Sequence, residues 1–139
     1  MLMRPLMRSR LLRGAGILLM ALGIVHLIAT PHIGSLVHHA ASPASARWLT
    51  PPMLLNHIIV GLLLIPLGFL TAYAAPHAAT GASWAQVIVR TSALSVATLP
   101  VVLLCLMGTR YYFDAPLFVL GAALTVIVAV TLLIVAFAG

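Results

Sequence analysis

The chain has 139 residues; 63% of them are hydrophobic, 6% are charged, and the formal net charge is +6 at pH 7. A soluble domain carries about 25% charged residues, so this chain has too few to cover a surface that faces water. Its positive charge comes from arginines that do not form the clustered basic face that nucleic-acid binding needs. Composition therefore excludes a soluble domain, a disordered tail and a nucleic-acid partner. It predicts an all-α integral membrane protein surrounded by the lipid bilayer.

Four segments reach the length of about 20 mostly apolar residues that a membrane-spanning helix needs. In chain order they are residues 14–30, 52–73, 85–107 and 116–137. Prolines and glycines lie between them, which indicates that the helices stop there. The gap at residues 31–51, which contains Pro31 and Pro43, is the longest and is expected to be a loop. Short connections elsewhere favour an up-down antiparallel bundle of four transmembrane helices, a single domain over residues 1–139.

The placement of arginine predicts the orientation of these helices in the membrane. Arginine is concentrated in cytoplasmic loops of membrane proteins. One group lies on the side of the N-terminus, and it consists of Arg4, Arg8, Arg10, Arg13 and Arg90. Arg47 and Arg110 fall in connections on the opposite side. This distribution predicts an N-in, C-in protein of the inner (cytoplasmic) membrane, with the loop over residues 31–51 outside.

The first and second spans each carry a histidine at a similar expected depth. His26 precedes the end of the first span, and His57 follows the start of the second, each by about five residues or roughly 7–8 Å. Gly23 lies three positions before His26, and Gly61 lies four positions after His57. Residues at these spacings share a helix face, and small residues mark the faces on which membrane helices pack closely. Both imidazoles are therefore expected to face protein rather than lipid.

An ionisable side chain inside a span suggests a functional site, and the histidine pair has three interpretations. As cofactor ligands, His26 and His57 would hold haem b between them, since imidazole is a frequent axial ligand. As metal ligands, they would bind copper or zinc together with further outer-side histidines, namely His32, His38 and His39. The structural alternative is that they form hydrogen bonds across helices to hydroxyl or carbonyl groups.

Two other polar side chains are candidates to support such a site. Asn56 is adjacent to His57 and is expected to supply or share a hydrogen bond. Asp114 is the only acidic residue of the chain. Metal-ligating histidines are commonly oriented by a carboxylate or another acceptor on their second nitrogen. Asp114 is therefore a candidate to orient one of the histidines.

Small polar residues recur along the third span. The spacing of three or four residues between them is that of a single helix face. The residues at these positions are Thr91, Ser95, Thr98, Val102 and Cys105. We expect this stripe to face the bundle, because small side chains let helices approach closely. The fourth span, residues 116–137, contains no charged residue.

The chain carries little of the chemistry that enzymes use. With Asp114 as its only acid it has no carboxylate pair, and it contains no glycine-rich phosphate-binding loop. We therefore do not expect it to be an enzyme by itself. The sequence favours an accessory or structural subunit of a larger membrane complex, bound to other membrane subunits or to a second copy of itself. The alternatives are a haem- or metal-binding redox membrane protein that uses the histidines and, third, a small transporter.

Overall fold

A computed structural model describes residues 4–107 and 116–137, which form four α-helices without strands. The helices are α1 (Pro5–Ala40), α2 (Pro43–Ala79), α3 (Ser83–Met107) and α4 (Pro116–Phe137). Each contains a stretch that is long and apolar enough to cross a membrane. The prediction of an all-helical, multi-pass membrane protein is confirmed at this level. The up-down order of the bundle, its N-in, C-in orientation and the identity of the membrane stay predictions.

The expected loop over residues 31–51 is wrong as secondary structure. Helix α1 continues through Pro31 as far as Ala40, and α2 already begins at Pro43. Only Ala41 and Ser42 separate the two helices. The hydrophobic stretches were therefore located correctly, whereas the ends of the helices that contain them were not.

The local sequence explains why α2 starts early. The side chain of Ser42 accepts a hydrogen bond from the backbone N–H of Ser45 at 3.3 Å, which is the bond of a serine N-cap. Pro43 then occupies the first helical position, where a missing N–H costs nothing. The Ser-Pro pair is thus a helix start rather than a break.

Helices α1 and α2 have 36 and 37 residues, or about 54 Å each, against about 30 Å for the apolar core of a bilayer.

The described residues form two compact units. The four-helix unit consists of residues 4–18, 68–107 and 116–137, so it holds the first part of α1, the end of α2, and helices α3 and α4. The hairpin unit is Leu19–Leu67, which holds the rest of α1 and α2 and the turn between them. The expectation of a single domain over the whole chain stays a prediction.

Small side chains allow close helix packing in the four-helix unit. A Cβ atom added to Gly16 of α1 would lie 2.6 Å from the carbonyl oxygen of Gly68 and 2.7 Å from the backbone nitrogen of Ala72, both in α2. Helix α3 packs against α4. The fully buried side chains of this unit include Leu12, Ala74, Ala75, Ala85, Val89, Ala93, Val96 and Leu132. In a membrane no hydrophobic effect drives helices together, so close packing depends on small residues such as the glycines and alanines at these contacts.

A buried arginine ties three helix ends together in the four-helix unit. Arg8 is only 6% exposed. Its guanidinium donates from Nε to the carbonyl of Val135 at 3.1 Å, from Nη1 to Ala78 at 3.2 Å and from Nη2 to Ala136 at 3.2 Å. These acceptors lie in the last turns of α2 and α4, and the carbonyl of Ala78 also accepts a hydrogen bond from the backbone N–H of Gly81 at 3.3 Å. A cation there also compensates the partial negative charge of a helix C-terminus.

The polar stripe of α3 does not face the bundle, so that expectation was wrong. Thr91, Ser95 and Thr98 are exposed. The buried face of α3 carries Ala85, Val89, Ser92, Ala93 and Val96 instead. The physical reason is visible at Thr98, whose hydroxyl donates to the carbonyl of Ser95 at 2.7 Å. A hydroxyl that is satisfied within its own helix needs no partner on another helix.

Candidate functional site

The candidate site lies in the hairpin unit, where α1 and α2 run antiparallel in close contact. A Cβ atom on Gly23 of α1 would lie 2.7 Å from the carbonyl oxygen of Gly61 in α2, and one on Gly61 would lie 2.9 Å from the carbonyl oxygen of Gly23. Nearer the turn, Gly34 packs against Leu54. No other residue type fits at Gly23 and Gly61 without moving backbone, so these glycines set the distance between the helices.

The turn places His26 and His57 at the same level of the hairpin. His26 lies 15 residues before Ala41 (41 − 26) and His57 lies 15 residues after Ser42 (57 − 42). An antiparallel hairpin closed at this turn therefore aligns them, about 22 Å from the turn at 1.5 Å per residue. The expected depth of 7–8 Å was measured from helix ends at the wrong positions. The two histidines are still level, because α1 ends ten residues later (40 − 30) and α2 begins nine residues earlier (52 − 43) than expected, so both distances increase by a similar amount.

The two imidazole rings stack on each other. Their centroids are 4.6 Å apart and their planes are inclined by 28°. Both side chains are half-buried. The expectation that the histidines lie on the facing sides of their helices therefore agrees with the packing of the hairpin.

Each ring is held by a hydrogen bond from Nδ1 to a backbone carbonyl. The Nδ1–H of His57 donates across the hairpin to the carbonyl of His26 at 2.9 Å. The Nδ1–H of His26 donates to the carbonyl of Leu22, one turn earlier in α1, at 3.0 Å. Thr30, which is buried, donates its hydroxyl to the carbonyl of His26 at 2.9 Å, and its Oγ1 lies 3.3 Å from Nδ1 of His57.

These bonds determine which nitrogen of each ring carries the proton. A carbonyl oxygen only accepts, so Nδ1 of both His26 and His57 must be protonated. In a neutral imidazole the other nitrogen, Nε2, then carries a lone pair. Metal-ligating histidines have this arrangement, with one nitrogen bonded to a carbonyl and the other available for the ion. The site therefore presents two oriented nitrogen donors.

In the arrangement that the structure shows, the two rings do not hold a haem between them. Two imidazoles that ligate one iron from opposite sides have centroids about 6 Å apart, because each nitrogen lies about 2 Å from the metal. The centroids of His26 and His57 are 4.6 Å apart and the rings are in stacking contact. The stack leaves no room for a porphyrin plane.

The structure does not bring the other candidate ligands to this pair. His32, His38 and His39 are exposed on the last turns of α1, and Nδ1 of His39 donates to the carbonyl of Ser35 within the same helix. Within residues 4–107 and 116–137 no three potential ligands form a metal-binding group. Of the five candidate ligands, the structure therefore brings His26 and His57 into contact with each other.

The two expected supporting residues have different outcomes. Asn56 is exposed on α2, and Thr30 occupies the supporting position at His57 instead. Asp114 lies outside the described residues. Sequence reasoning missed Thr30, although its position four residues after His26 on the same helix face was a usable signal. It also missed the structural role of Arg8, which no sequence pattern distinguishes from the neighbouring arginines.

Comparison of the chain with known protein families, with curated proteins and with solved structures finds no match. The residues of this chain are therefore the only indication of its function. Of the described residues, the histidine pair has the most versatile chemistry, because imidazole both donates hydrogen bonds and ligates metals near neutral pH.

Proposed function

We propose that this chain is a multi-pass membrane protein that binds a copper or zinc ion through His26 and His57. The observation that carries the proposal is the pair of stacked imidazoles, each with Nδ1 bonded to a backbone carbonyl. Imidazole nitrogen suits both of these metals. The carbonyl bonds fix the tautomer in which Nε2 is free, and such bonds also increase the basicity of a metal-ligating imidazole.

Binding of one ion by both rings requires a change in the stack. A metal lies close to the plane of each imidazole that ligates it, and two stacked planes do not meet at one point. One ring must therefore turn about its Cβ–Cγ bond as the ion binds, and that ring gives up its own hydrogen bond from Nδ1 to the carbonyl, while the other ring keeps its bond. His26 is the ring that can turn at lower cost, because its Nδ1 bond is made within α1, whereas the bond of His57 also joins the two helices.

Two nitrogen ligands leave part of the coordination sphere open. Structural zinc sites have four protein ligands, whereas catalytic or exchanging sites keep positions for water or a substrate. The proposed site therefore belongs to the second kind, in which the ion exchanges or gains further ligands from outside the pair.

The test is metal binding by the purified protein in nanodiscs. Wild-type protein, titrated separately with Zn²⁺ and with Cu⁺ under reducing conditions, should bind about one ion per chain. His26→Asn and His57→Asn should abolish this binding, because asparagine keeps a donor at the position of Nδ1 but has no nitrogen at the position of Nε2. A structural pair would tolerate these substitutions without any effect on metal content.

A matched control is available on the same helix. His39, like His26, donates from Nδ1 to the carbonyl four residues earlier, but among the described residues no other ring stacks on it. His39→Asn should leave the stoichiometry unchanged. A wild-type protein that binds neither ion, or a double variant of His26 and His57 that binds as well as wild type, would show that the pair only joins the helices.

The function favoured by composition, an accessory or structural subunit of a larger membrane complex, stays a prediction. Apolar side chains such as Ile28 and Leu63 are well exposed, and lipid covers such surfaces as readily as a protein partner does. The expectations of a small transporter and of a redox role likewise stay predictions.

A further inference from the structure

A groove separates α1 from α4 in the four-helix unit. Its volume is about 240 Å³, and it is open to the surroundings of the helices. The residues that line it are Arg10, Leu11, Gly14, Ala15, Leu18, Ile127, Val128 and Thr131. Apart from Arg10 and Thr131, this lining is apolar, which suits a hydrocarbon ligand.

Buried side chains form the floor of the groove, and exposed side chains form its rims. Ala15 and Val128 are buried, whereas Leu18 and Ile127 are 44% and 57% exposed. A Cβ atom added to Gly14 would meet nothing within 4 Å. The space at Gly14 is therefore real and is not closed by a neighbouring side chain.

One end of the groove is positively charged. Arg10 is exposed, and within the described residues no hydrogen bond or ion pair engages its guanidinium. Leu18 lies eight residues further along α1, so the groove continues for about 12 Å into the apolar part of the helix. Arg10 itself lies where the basic N-terminal segment meets the apolar stretch that begins at Gly14, which is the level at which lipid headgroups meet a spanning helix.

We propose that this groove binds one anionic phospholipid, with an acyl chain along Gly14 and the headgroup phosphate paired with Arg10. The groove matches a phospholipid in the order of its charged and apolar parts, since a cation lies at one end of the groove and an apolar channel follows it. Basic pockets between membrane helices recognise anionic headgroups in this way. Arginine is suited to phosphate because its planar guanidinium donates two parallel hydrogen bonds.

The test compares lipids retained by the purified full chain. The protein is reconstituted in mixed phosphatidylglycerol and phosphatidylcholine, extracted in mild detergent, and analysed by native mass spectrometry. Wild type should retain about one phosphatidylglycerol in preference to phosphatidylcholine, and Arg10→Gln should reduce that preference about fivefold. Gly14→Leu should remove the retained lipid, because the new side chain fills the space along the acyl chain.

Each variant has a control that differs only in its position. Arg13→Gln removes an exposed arginine that does not line the groove, and Gly121→Leu fills open space on α4 outside it. Both should behave as wild type in lipid retention and in size-exclusion profile. The proposal is overturned if phosphatidylcholine is retained equally, if Gly14→Leu and Gly121→Leu behave alike, or if a copurifying protein occupies the groove instead of lipid.

Discussion

Each of the two units is held by a polar side chain that donates hydrogen bonds to backbone carbonyls of another helix. The two side chains differ in whether they keep a lone pair that can bind a ligand. In the four-helix unit, Arg8 donates to three carbonyls of α2 and α4. In the hairpin unit, His57 donates to one carbonyl of α1. Guanidinium has no acceptor atom and does not lose its proton in proteins. Imidazole that has donated once still has a lone pair.

This difference separates a structural role from a chemical one. Arg8 has one state, so the four-helix unit gains stability from it and no reactivity. His57 and His26 form the same kind of bond with Nδ1 and keep Nε2 for a ligand. Proteins commonly place binding chemistry on a scaffold that is rigid elsewhere. We therefore expect substitutions in the four-helix unit to act on stability and those at the histidine pair to act on metal binding.

The largest effect is expected at Arg8. Arg8→Ala removes three hydrogen bonds from a charged donor and leaves their acceptors without it, so the free energy of unfolding should fall by about 3 kcal/mol. Arg8→Lys should lose less, because the charge at the helix ends is kept while the forked geometry is lost. Unfolding in bicelles measures both. Arg13→Ala, at an exposed position of the same helix, should leave the free energy of unfolding almost unchanged. An equal loss there would show that Arg8 contributes no more to stability than an exposed arginine.

A second pair of substitutions separates the units directly. A Cβ atom at Gly16 would lie 2.6 Å from the carbonyl oxygen of Gly68, and one at Gly23 would lie 2.7 Å from that of Gly61. Both Gly16→Ala and Gly23→Ala should therefore push α1 and α2 apart locally, at a cost of about 1–3 kcal/mol. Only Gly23→Ala should also weaken metal binding, because it lies in the hairpin unit beside the imidazoles.

Unfolding and metal titration on the same samples give the two readouts. Gly14→Ala is the control, since its Cβ meets nothing within 4 Å and alanine favours a helix by about 1 kcal/mol over glycine. Equal losses of metal affinity in Gly16→Ala and Gly23→Ala would contradict the division of roles between the units.

The smallest effect on stability is expected at Thr30. Thr30→Val removes a hydroxyl whose oxygen lies 2.9 Å from the carbonyl of His26 and 3.3 Å from Nδ1 of His57. Hydrogen bonds between membrane helices contribute about 0.6 kcal/mol, so unfolding should change little. Metal affinity should nevertheless fall about tenfold, as it does when groups that orient a ligating histidine are removed. The control is Thr125→Val, because the hydroxyl of Thr125 donates to the carbonyl of Gly121 in its own helix; this variant should change neither stability nor metal affinity. Identical metal affinities in the two variants would argue against an orienting role for Thr30.

The membrane spans and the histidine pair show how far local patterns reach. Apolar length identifies a spanning helix without knowledge of its neighbours, because lipid imposes the same requirement on every segment. The glycines near His26 and His57 likewise predicted from local sequence that both histidines lie on packing faces, because small residues mark the faces on which membrane helices meet. The helix ends differ from the prediction for two reasons. Pro31, which the sequence pattern treats as a stop, lies inside α1, and Ser42 and Pro43 form the cap and first turn of α2.

The sequence by itself determined that the helices of this protein are apolar enough to cross a lipid bilayer. It also determined where its four apolar stretches lie and that two of them contain a histidine. Only the tertiary structure decided that Arg8 and not Arg10 is buried. It also decided that Thr91, Ser95 and Thr98 of α3 are exposed, and that two of the five candidate imidazoles stack while the other three do not join them. The physical reason is that transfer to lipid depends on the composition of one segment. A hydrogen bond or a ring contact depends on the distance between two segments, which is set where glycine backbones touch.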